Sequence, residues 1–332
     1  MDYSNELNLL LKEINFADSK ILRSNFKGGY FVILGNYHGD DVILRTAPIG
    51  DLDKIARFKR EYEASKILAS FNSNSKSSII NFTEVIDIRK SKGLYWSIRS
   101  YSKDQTLAID ERYNQAMIHG YDIIRQKFVD SYHPIVKNII NIVGLIQKID
   151  INAVKEGVDI KLFTPRLEKD LKKIDIKKIE RLLDVKFDSQ INFYKYNSDE
   201  YSDKSNIRAN MGDLIPPNII VSPNNQITLY DYEWFCFDNY IVDYSSLWLF
   251  FWRYPKWQNA ISKKVLITEK NKMFFSMSLI RELISWYAGA FSISEKNKLK
   301  RRVNFYKKHI WLKYLKATGE SFESIMKVKA DI

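Results

Sequence analysis

The sequence of 332 residues contains a single cysteine, Cys236, which excludes an intrachain disulfide and a cysteine-rich zinc site. Its four histidines stand far apart and show no spacing typical of metal ligands. Long apolar runs are also missing. The densest apolar stretch, at 247–252, is far too short to span a bilayer. The first residues show neither the basic nor the apolar region of a secretory signal. We therefore expect a cytoplasmic protein, with Cys236 as a packing residue.

Hydrophobic residues make up 45% of the chain and aromatic residues 14%, which is typical of a globular protein and excludes disorder. The length is enough for one or two domains with a buried core. The formal net charge of +12 suits an anionic partner such as nucleotide phosphates, nucleic acid or an acidic membrane surface. The same charge is common in lysine-rich proteomes, so by itself it selects no function.

The first hundred residues alternate between β-prone runs and turns. We expect strands at 19–24, 30–34, 42–45, 79–88 and 94–101, with a helix at 51–71. Gly28 and Gly29 supply a flexible turn between the first two strands. The pattern predicts a small sheet with one crossing helix.

The remainder of the chain is mostly helical in pattern. We expect helices at 113–129 and 134–149, at least one within 162–183, a polar loop at 197–205, and helices from 244 onward. A β-hairpin interrupts them at 218–230, with its turn at 222–225. The expected domains are residues 1–103 and residues 104–332.

Three polar side chains around this hairpin are the candidate catalytic and metal-binding residues. Asp213 and Asn218 stand five positions apart on a proline-containing loop, and Asp231 follows the hairpin directly. A hairpin brings its two ends together, so Asn218 and Asp231 can share one divalent ion. Phosphoryl transfer needs such a set: a carboxylate that accepts the proton of the attacking hydroxyl, and oxygen ligands for the magnesium on the ATP phosphates. Each residue alone fits an ordinary polar loop equally well, and only their joint spacing favours catalysis.

This segment resembles the catalytic core of the aminoglycoside phosphotransferase and choline kinase superfamily. The pattern of that family is His-(Gly/Asn)-Asp, four residues, Asn, and then a hairpin that ends in Asp-aromatic-Glu. Asp213 falls on the catalytic aspartate, Asn218 and Asp231 on the magnesium ligands, and Asp243 on a later aspartate that braces the catalytic loop. The resemblance implies an α+β, protein-kinase-like two-lobed fold, with an antiparallel sheet in the N-terminal nucleotide-binding lobe. It also implies ATP and Mg2+ as cofactors and a small-molecule alcohol as acceptor.

Weaker matches extend the resemblance to residues 19–250. Arg45 matches the cation of the third strand that holds the ATP phosphates, and Glu61 matches the helix glutamate that pairs with it. A plain surface role for Arg45, and Glu63 in place of Glu61, stay open as alternatives.

Two further matches concern the nucleotide. Gly28 and Gly29 occupy the phosphate-covering turn, although an ordinary hairpin turn explains them as well. Ser100 and Ser102 belong to the segment that matches the hinge beneath the adenine, where backbone groups would meet the base.

Three positions depart from the family pattern. Met211 replaces the histidine before Gly-Asp, Arg45 replaces the usual lysine, and Gln147 replaces a histidine. None of these changes removes the base or a metal ligand. They leave a second hypothesis open, a degenerate kinase-fold module that binds nucleotide without turnover.

Other features are open to more than one interpretation. Trp248, Trp252, Trp257 and Trp286 would suit a box for a quaternary ammonium group, but aromatic-rich helices are more often core. We interpret the basic run at 296–308 as a solvated helix face, and we do not expect nucleic acid as the partner. The acceptor stays open among an amino alcohol, a sugar and an aminoglycoside. The sequence carries no sign of the oligomeric state.

Overall fold

The computed structural model describes residues 2–75, 80–109, 123–153, 172, 175–183 and 188–291. Its strands are β1 Ala17–Asn25, β2 Tyr30–Tyr37, β3 Asp40–Pro48, β4 Ile80–Phe82, β5 Val85–Ser91, β6 Leu94–Ser100, β7 Gln105–Thr106, β8 Ile207–Asn210, β9 Ile219–Val221, β10 Ile227–Leu229 and β11 Cys236–Asn239. Its helices are α1 Ser4–Glu13, α2 Leu52–Ser75, α3 Gln126–Asp130, α4 Tyr132–Ile146, α5 Ile176–Leu183, α6 Asp188–Tyr196, α7 Ser198–Tyr201, α8 Val242–Phe250, α9 Pro255–Val265 and α10 Glu269–Phe291.

The chain divides into two compact units. The first contains the described residues of 1–106, 152–160 and 218–235, and the second contains those of 107–151, 161–217 and 236–332. The hairpin after the proline loop therefore groups with the N-terminal part of the chain. The domain division expected from the sequence, between residues 103 and 104, stays a prediction.

The first unit is built on a five-stranded antiparallel sheet in the order β1-β2-β3-β6-β5. Apolar side chains of the central strands are buried together, including Ile33, Leu44 and Ile98. Leu7 and Leu10 pack into the same core from helix α1, which the sequence analysis did not predict. The predicted small sheet with one crossing helix is confirmed, and the helix is α2.

A second sheet of this unit has the order β4-β10-β9-β7. Strands β9 and β10 form the predicted hairpin, with Ile219 opposite Leu229. Strand β4 pairs with β10 in parallel, so the single strand expected at 79–88 is wrong. The hydrogen bonds change at this break: the N–H of Thr83 donates to Leu229 beside the second sheet, whereas the N–H of Val85 donates to the Ser65 hydroxyl of helix α2.

The second unit is mainly helical around a two-stranded β8–β11 ribbon. Every side chain of helix α8 is buried, and α4 contributes one apolar face that includes Ile139, Ile142 and Val143. In the described part of the chain, no helix has the length and apolarity required to cross a membrane.

Two helical expectations for this unit need correction. The helix expected at 113–129 does not include residues 123–125, because Ile124 forms a bridge with Ala108, and α3 begins only at Gln126. Residues 110–122 of that prediction lie outside the described residues. The polar loop expected at 197–205 contains the short helix α7, since Tyr201 is buried and anchors one turn there.

Candidate active site

Arg45 lies on β3, which is hydrogen-bonded on one side to β2 and on the other to β6. Its side chain is 10% exposed and forms ion pairs with Glu61 of helix α2 and with Asp231, the latter at 3.4 Å. The guanidinium also stands 4.8 Å from the ring centre of Phe58. The alternative of a plain surface cation is therefore wrong, because Arg45 is buried among carboxylates.

Burial lowers the pKa of Arg45 to about 10, and the neighbouring charge of Arg99 acts in the same direction. Asp231 and Glu233 oppose this change by stabilising the positive charge. The guanidinium remains protonated at neutral pH, so it is a permanent cation in a largely dehydrated place. Such a group has strong electrostatic interactions with an anion that enters the site.

Glu61 is the buried glutamate of helix α2, with a side chain that is fully shielded from solvent. Its competitor Glu63 lies on another face of the helix, where it forms a part-exposed pair with Lys66 at 3.5 Å. The helical period explains the difference, because residues two positions apart point in different directions. The structure thus pairs Arg45 with Glu61 and leaves Glu63 on the surface.

Asn218 and Asp231 flank the hairpin at its open end. The backbone N–H of Tyr230 donates to the carbonyl oxygen of Asn218 at 3.2 Å, which holds the two strand ends together. Asp231 follows at once and has a positive φ of 67°, a conformation that Asp tolerates better than most residues. The hairpin therefore brings these two predicted metal ligands to one end of the same small sheet.

This pair of oxygen donors suits magnesium. Mg2+ commonly takes one or two protein oxygens and completes its shell with phosphate oxygens and water. Among the described residues, no group of three or more His, Cys, Asp or Glu side chains forms a metal site of its own. The role of Asn218 and Asp231 as magnesium ligands stays a prediction.

Glu233 lies two residues after Asp231, and the sequence analysis did not single it out as a site residue. Its carboxylate pairs with Arg57 at 3.2 Å and with Lys54 at 3.8 Å, and its carbonyl accepts a bond from Arg60 at 2.8 Å. These cations recur at every third position of helix α2. Together with the ring of Trp234, over which Arg57 stacks at 4.7 Å, they fasten the segment after the hairpin to the helix.

Arg99 is a second residue that the sequence analysis missed. It lies near the end of β6, donates to Glu61 at 3.3 Å, and places its guanidinium 5.0 Å from the ring centre of Tyr230. The sequence offered one signal for it, a single charged residue in a strand that otherwise holds apolar residues and serines.

Gly28 and Gly29 lie in the turn between β1 and β2. The N–H of Gly28 donates to the Asn25 side chain, and the carbonyl of Gly29 accepts a bond of 2.9 Å from Thr46 of β3. Gly29 has a φ of 64°, and a β-carbon there would approach Pro48 to 2.9 Å. The positive φ and the lack of space for a β-carbon explain glycine at position 29 without any ligand. A role of this turn in covering phosphate stays a prediction.

Ser100 and Ser102 lie at the end of β6 and just beyond it. Ser100 exchanges hydrogen bonds with the backbone of Glu84 in both directions, each of 2.9 Å. The Ser102 hydroxyl accepts a bond from the N–H of Asp104 at 3.3 Å. Both serines thus shape the connection from β6 towards β7, which is the predicted hinge, and their contact with a base stays a prediction.

Asp213 belongs to the second unit, in the loop after β8. The two residues before it donate their N–H groups to the carboxylate of Asp243, Met211 at 2.8 Å and Gly212 at 3.1 Å. Burial raises the pKa of Asp243 to about 7, against the effect of these two bonds. These two bonds are the bracing expected of Asp243. They hold the backbone of the two residues directly before Asp213.

The two missing histidines have different consequences in the structure. Met211 is buried and apolar, so its side chain adds no hydrogen bond to the loop. Asn210 beside it donates to backbone carbonyls of Arg208 and Asp238 at 2.8 and 3.1 Å. Gln147 donates to the carbonyl of Tyr240 at 2.5 Å. Amide side chains therefore hold the backbone near both substituted positions.

The described tryptophans of the possible aromatic box are core residues, in agreement with the interpretation of aromatic-rich helices as core. Trp248, Trp252 and Trp257 are buried, and Trp257 packs against Phe251 with their ring centres 4.7 Å apart. The side chain of Trp286 and the basic run at 296–308 lie outside the described residues. Cys236 is buried, in agreement with a packing role.

Comparisons of the sequence alone give no match, either to a protein-family model or to a curated protein. Comparison of the fold with solved structures gives clear matches. The chain has a protein-kinase-like α+β fold, with an N-terminal antiparallel sheet and a helical C-terminal region. Within that class, the similar solved structures are aminoglycoside phosphotransferases, which confirms the predicted resemblance at the level of the fold.

Three of these structures illustrate the likeness. A thermostable mutant of APH(4)-Ia, in a ternary complex with ADP and hygromycin B, has a TM-score of 0.60 at 10% identity, covering 92% of this chain and 98% of its own. APH(2")-IIia with GDP and kanamycin has a TM-score of 0.59 at 11% identity, covering 92% and 97%. Wild-type aminoglycoside 2'-phosphotransferase-IIIa with GDP has a TM-score of 0.56 at 12% identity, covering 97% and 98%.

Proposed function

We propose that this protein is a magnesium-dependent phosphotransferase that moves the γ-phosphate of ATP to a hydroxyl of a small molecule. The observation that carries the proposal is the cluster of buried Arg45 and Glu61 with the partly exposed Asp231, which joins a strand, a helix and a hairpin end. Burial of ions is unfavourable unless they are well paired, and here the pairing leaves one carboxylate, that of Asp231, open to solvent beside a buried cation. A nucleotide phosphate with its metal ion is the ligand that this set would suit.

In this proposal, Asn218 and Asp231 would hold Mg2+, which would neutralise phosphate charge when the nucleotide is bound. Arg45, oriented by Glu61, binds phosphate oxygens. Asp213 accepts the proton of the acceptor hydroxyl as its oxygen bonds to the γ-phosphorus. The bond from that phosphorus to the β–γ bridging oxygen breaks, and the diphosphate leaves with its electron pair.

The experiment is an assay of nucleotide consumption against a panel of amino alcohols, aminoglycosides and sugars, with ATP and GTP as donors. GTP is included because two similar structures contain GDP. Asp213→Asn should lower turnover by about 10²–10⁴-fold and leave nucleotide binding largely intact. Asp199→Asn, an exposed aspartate of α7, is the matched control. Wild-type turnover in Asp213→Asn would contradict the assignment.

The acceptor class is less constrained than the donor. Hygromycin B and kanamycin in the similar structures favour an aminoglycoside, and the motif from Asp231 to Glu233 favours choline or ethanolamine. A net charge of +12 would have to be shielded locally for a polycationic acceptor. A sugar or a sugar-linked alcohol avoids this repulsion, so the panel includes neutral acceptors.

A second candidate is a nucleotide-binding module without turnover, favoured by the buried Met211 in place of a histidine. Thermal stabilisation by magnesium and ATP, with no turnover of any acceptor, would support the module. Turnover of one acceptor would exclude it.

A further inference from the structure

Glu61 binds two arginines rather than one. Its Oε2 pairs with Arg45 of β3, and its Oε1 accepts from Arg99 of β6 at 3.3 Å. The two strands are neighbours in the sheet, with Ile43 opposite Arg99 and Arg45 opposite Ser97, so both guanidinium groups reach the same carboxylate. Each oxygen of this fully buried group thus has its own cationic partner.

The two arginines have different second contacts. Arg45 uses another nitrogen for Asp231, at 3.4 Å. Arg99 instead lies over the ring of Tyr230, the residue before Asp231, and its side chain is 13% exposed. The guanidinium of Arg45 also lies over an aromatic ring, so the two arginines differ in their polar partners and not in their aromatic contacts. Arg45 is therefore shared with a predicted metal ligand, whereas Arg99 is not.

This difference matters once a nucleotide binds. If Asp231 ligates magnesium, its oxygen is withdrawn from Arg45, and that guanidinium becomes available for phosphate. Were Arg45 the only partner of Glu61, the buried carboxylate would lose or follow its counter-ion during the exchange, which is unfavourable in a dry site. A second cation that is not paired with Asp231 removes that penalty, because Glu61 keeps one partner throughout.

We infer that Arg99 is a positioning residue that anchors Glu61, so that Arg45 can exchange Asp231 for a phosphate of the bound nucleotide. The inference rests on the proposed function. It assigns Arg99 no contact with the nucleotide itself; among the described residues, its side chain contacts Glu61 and Tyr230. It also predicts that the effect of Arg99 on nucleotide binding passes through Glu61.

The test compares Arg99→Met and Arg99→Lys with Arg89→Met. Arg89 is an exposed arginine of the adjacent strand β5 and pairs only with Asp87 at 3.0 Å among the contacts described, which makes it a matched control.

For each variant we would measure the Kd for magnesium-ATP by calorimetry, the KM and kcat with the best acceptor, and the Tm without ligand. Arg99→Met should raise Kd and KM roughly tenfold. Arg99→Lys, which keeps the charge, should restore part of the affinity, and Arg89→Met should change Kd by less than about twofold.

A double-variant cycle separates positioning from simple support of the fold. In the Glu61→Gln background, Arg99→Met should have almost no further effect on the Kd for nucleotide, even where it lowers the Tm. An equal rise in Kd in both backgrounds would overturn the inference, as would a Kd for Arg99→Met equal to that of Arg89→Met. If Arg99→Met does not fold, Arg99→Lys takes its place in the cycle: a rise in Kd that disappears in the Glu61→Gln background supports the inference, and an equal rise in both backgrounds overturns it.

The outcome also separates this inference from the proposed function. A wild-type protein that binds neither ATP nor GTP in the presence of magnesium overturns both. A wild-type protein that binds nucleotide, with Arg99 variants that bind equally well, overturns only the role of Arg99.

Discussion

Arg45 pairs with Asp231 across 3.4 Å, although the two residues stand 186 positions apart in the chain. A strand of the N-terminal sheet and the end of a distant hairpin therefore form one charged cluster. The pair places the predicted phosphate-binding cation next to a predicted magnesium ligand. Substitution of Asp231 is therefore the first test of the site.

Replacing Asp231 should uncouple nucleotide binding from magnesium. We expect magnesium to increase the thermal stabilisation of the wild type by ATP, because a ligand at about 100 times its Kd adds about 2.7 kcal/mol to the free energy of unfolding. In Asp231→Asn this increment should largely disappear, since the amide is a weaker ligand than the carboxylate. The measurement is the Tm with ATP, with and without magnesium.

The matched control for Asp231 is Asp53→Asn, which changes a carboxylate of helix α2 that is 78% exposed. It should show the full increment of the wild type. An undiminished effect of magnesium in Asp231→Asn would remove this residue from the metal site.

Glu233 should matter for both stability and nucleotide affinity. Glu233→Gln weakens its ion pairs with Arg57 and Lys54, which are partly exposed, so we expect a loss of about 1 kcal/mol in the free energy of unfolding. The Kd for nucleotide should rise as well, because the neighbouring Asp231 loses part of its support. Urea unfolding and calorimetry measure the two effects.

Glu269→Gln is the control for this change, because Glu269 pairs with Lys272 on an exposed helix surface. It should alter neither quantity appreciably. Nucleotide affinity that is the same in Glu233→Gln as in this control would show that the clamp on helix α2 is purely structural.

The buried pair of Arg281 and Asp238 should dominate the stability of the second unit. Their atoms are 2.7 Å apart, and the side chains are 2% and 4% exposed. Arg281→Met leaves Asp238 buried without this partner, which should lower the free energy of unfolding by about 3–5 kcal/mol. Chemical unfolding of the variant and the wild type gives the difference.

Two further variants sharpen that prediction. Lys270→Met removes a surface pair with Glu200 at 3.7 Å and should lower the free energy of unfolding by less than about 1 kcal/mol. Adding Asp238→Asn to Arg281→Met should recover part of the loss, because the unpaired buried charge is then gone. Equal losses for Arg281→Met and Lys270→Met would refute the special weight of the buried pair.

Asp243 should give the protein a pH-dependent stability. Its folded pKa of about 7 exceeds the ordinary 3.8, because burial, together with the charges of Asp238 and Glu282, disfavours the carboxylate. Between these two values the native state holds a proton that the unfolded state has released. The free energy of unfolding should therefore fall as the pH rises from about 4 to 7 and then level off.

This slope is measured by urea unfolding at several pH values. Asp243→Asn should lose the contribution of this group, whereas the exposed Asp203→Asn should retain it. An identical pH dependence in Asp243→Asn and the wild type would contradict the assignment.

Local patterns in the sequence predicted most of the elements around the site. Short apolar, β-prone runs marked strands β2 and β3, and a three-to-four-residue period marked helix α2. Both signals are local, so they are visible in the sequence. The hairpin at 218–230 was predicted for a similar reason, since its turn residues are polar and its strands apolar. The single strand expected at 79–88 failed because its halves bond to different sheets, which depends on partners far away in the chain.

The sequence by itself determined the residue types of the candidate site: one Asp and one Asn on a loop, an Asp after a hairpin, and an Arg on a strand. Spacing and turn chemistry are local properties, so they can be read without coordinates. Only the tertiary structure decided that Glu61 rather than Glu63 meets Arg45, that Arg99 shares this carboxylate, and that Glu233 is fastened to helix α2. Those choices depend on how strands pair and which helix face is buried, and burial is what makes a charge pair selective.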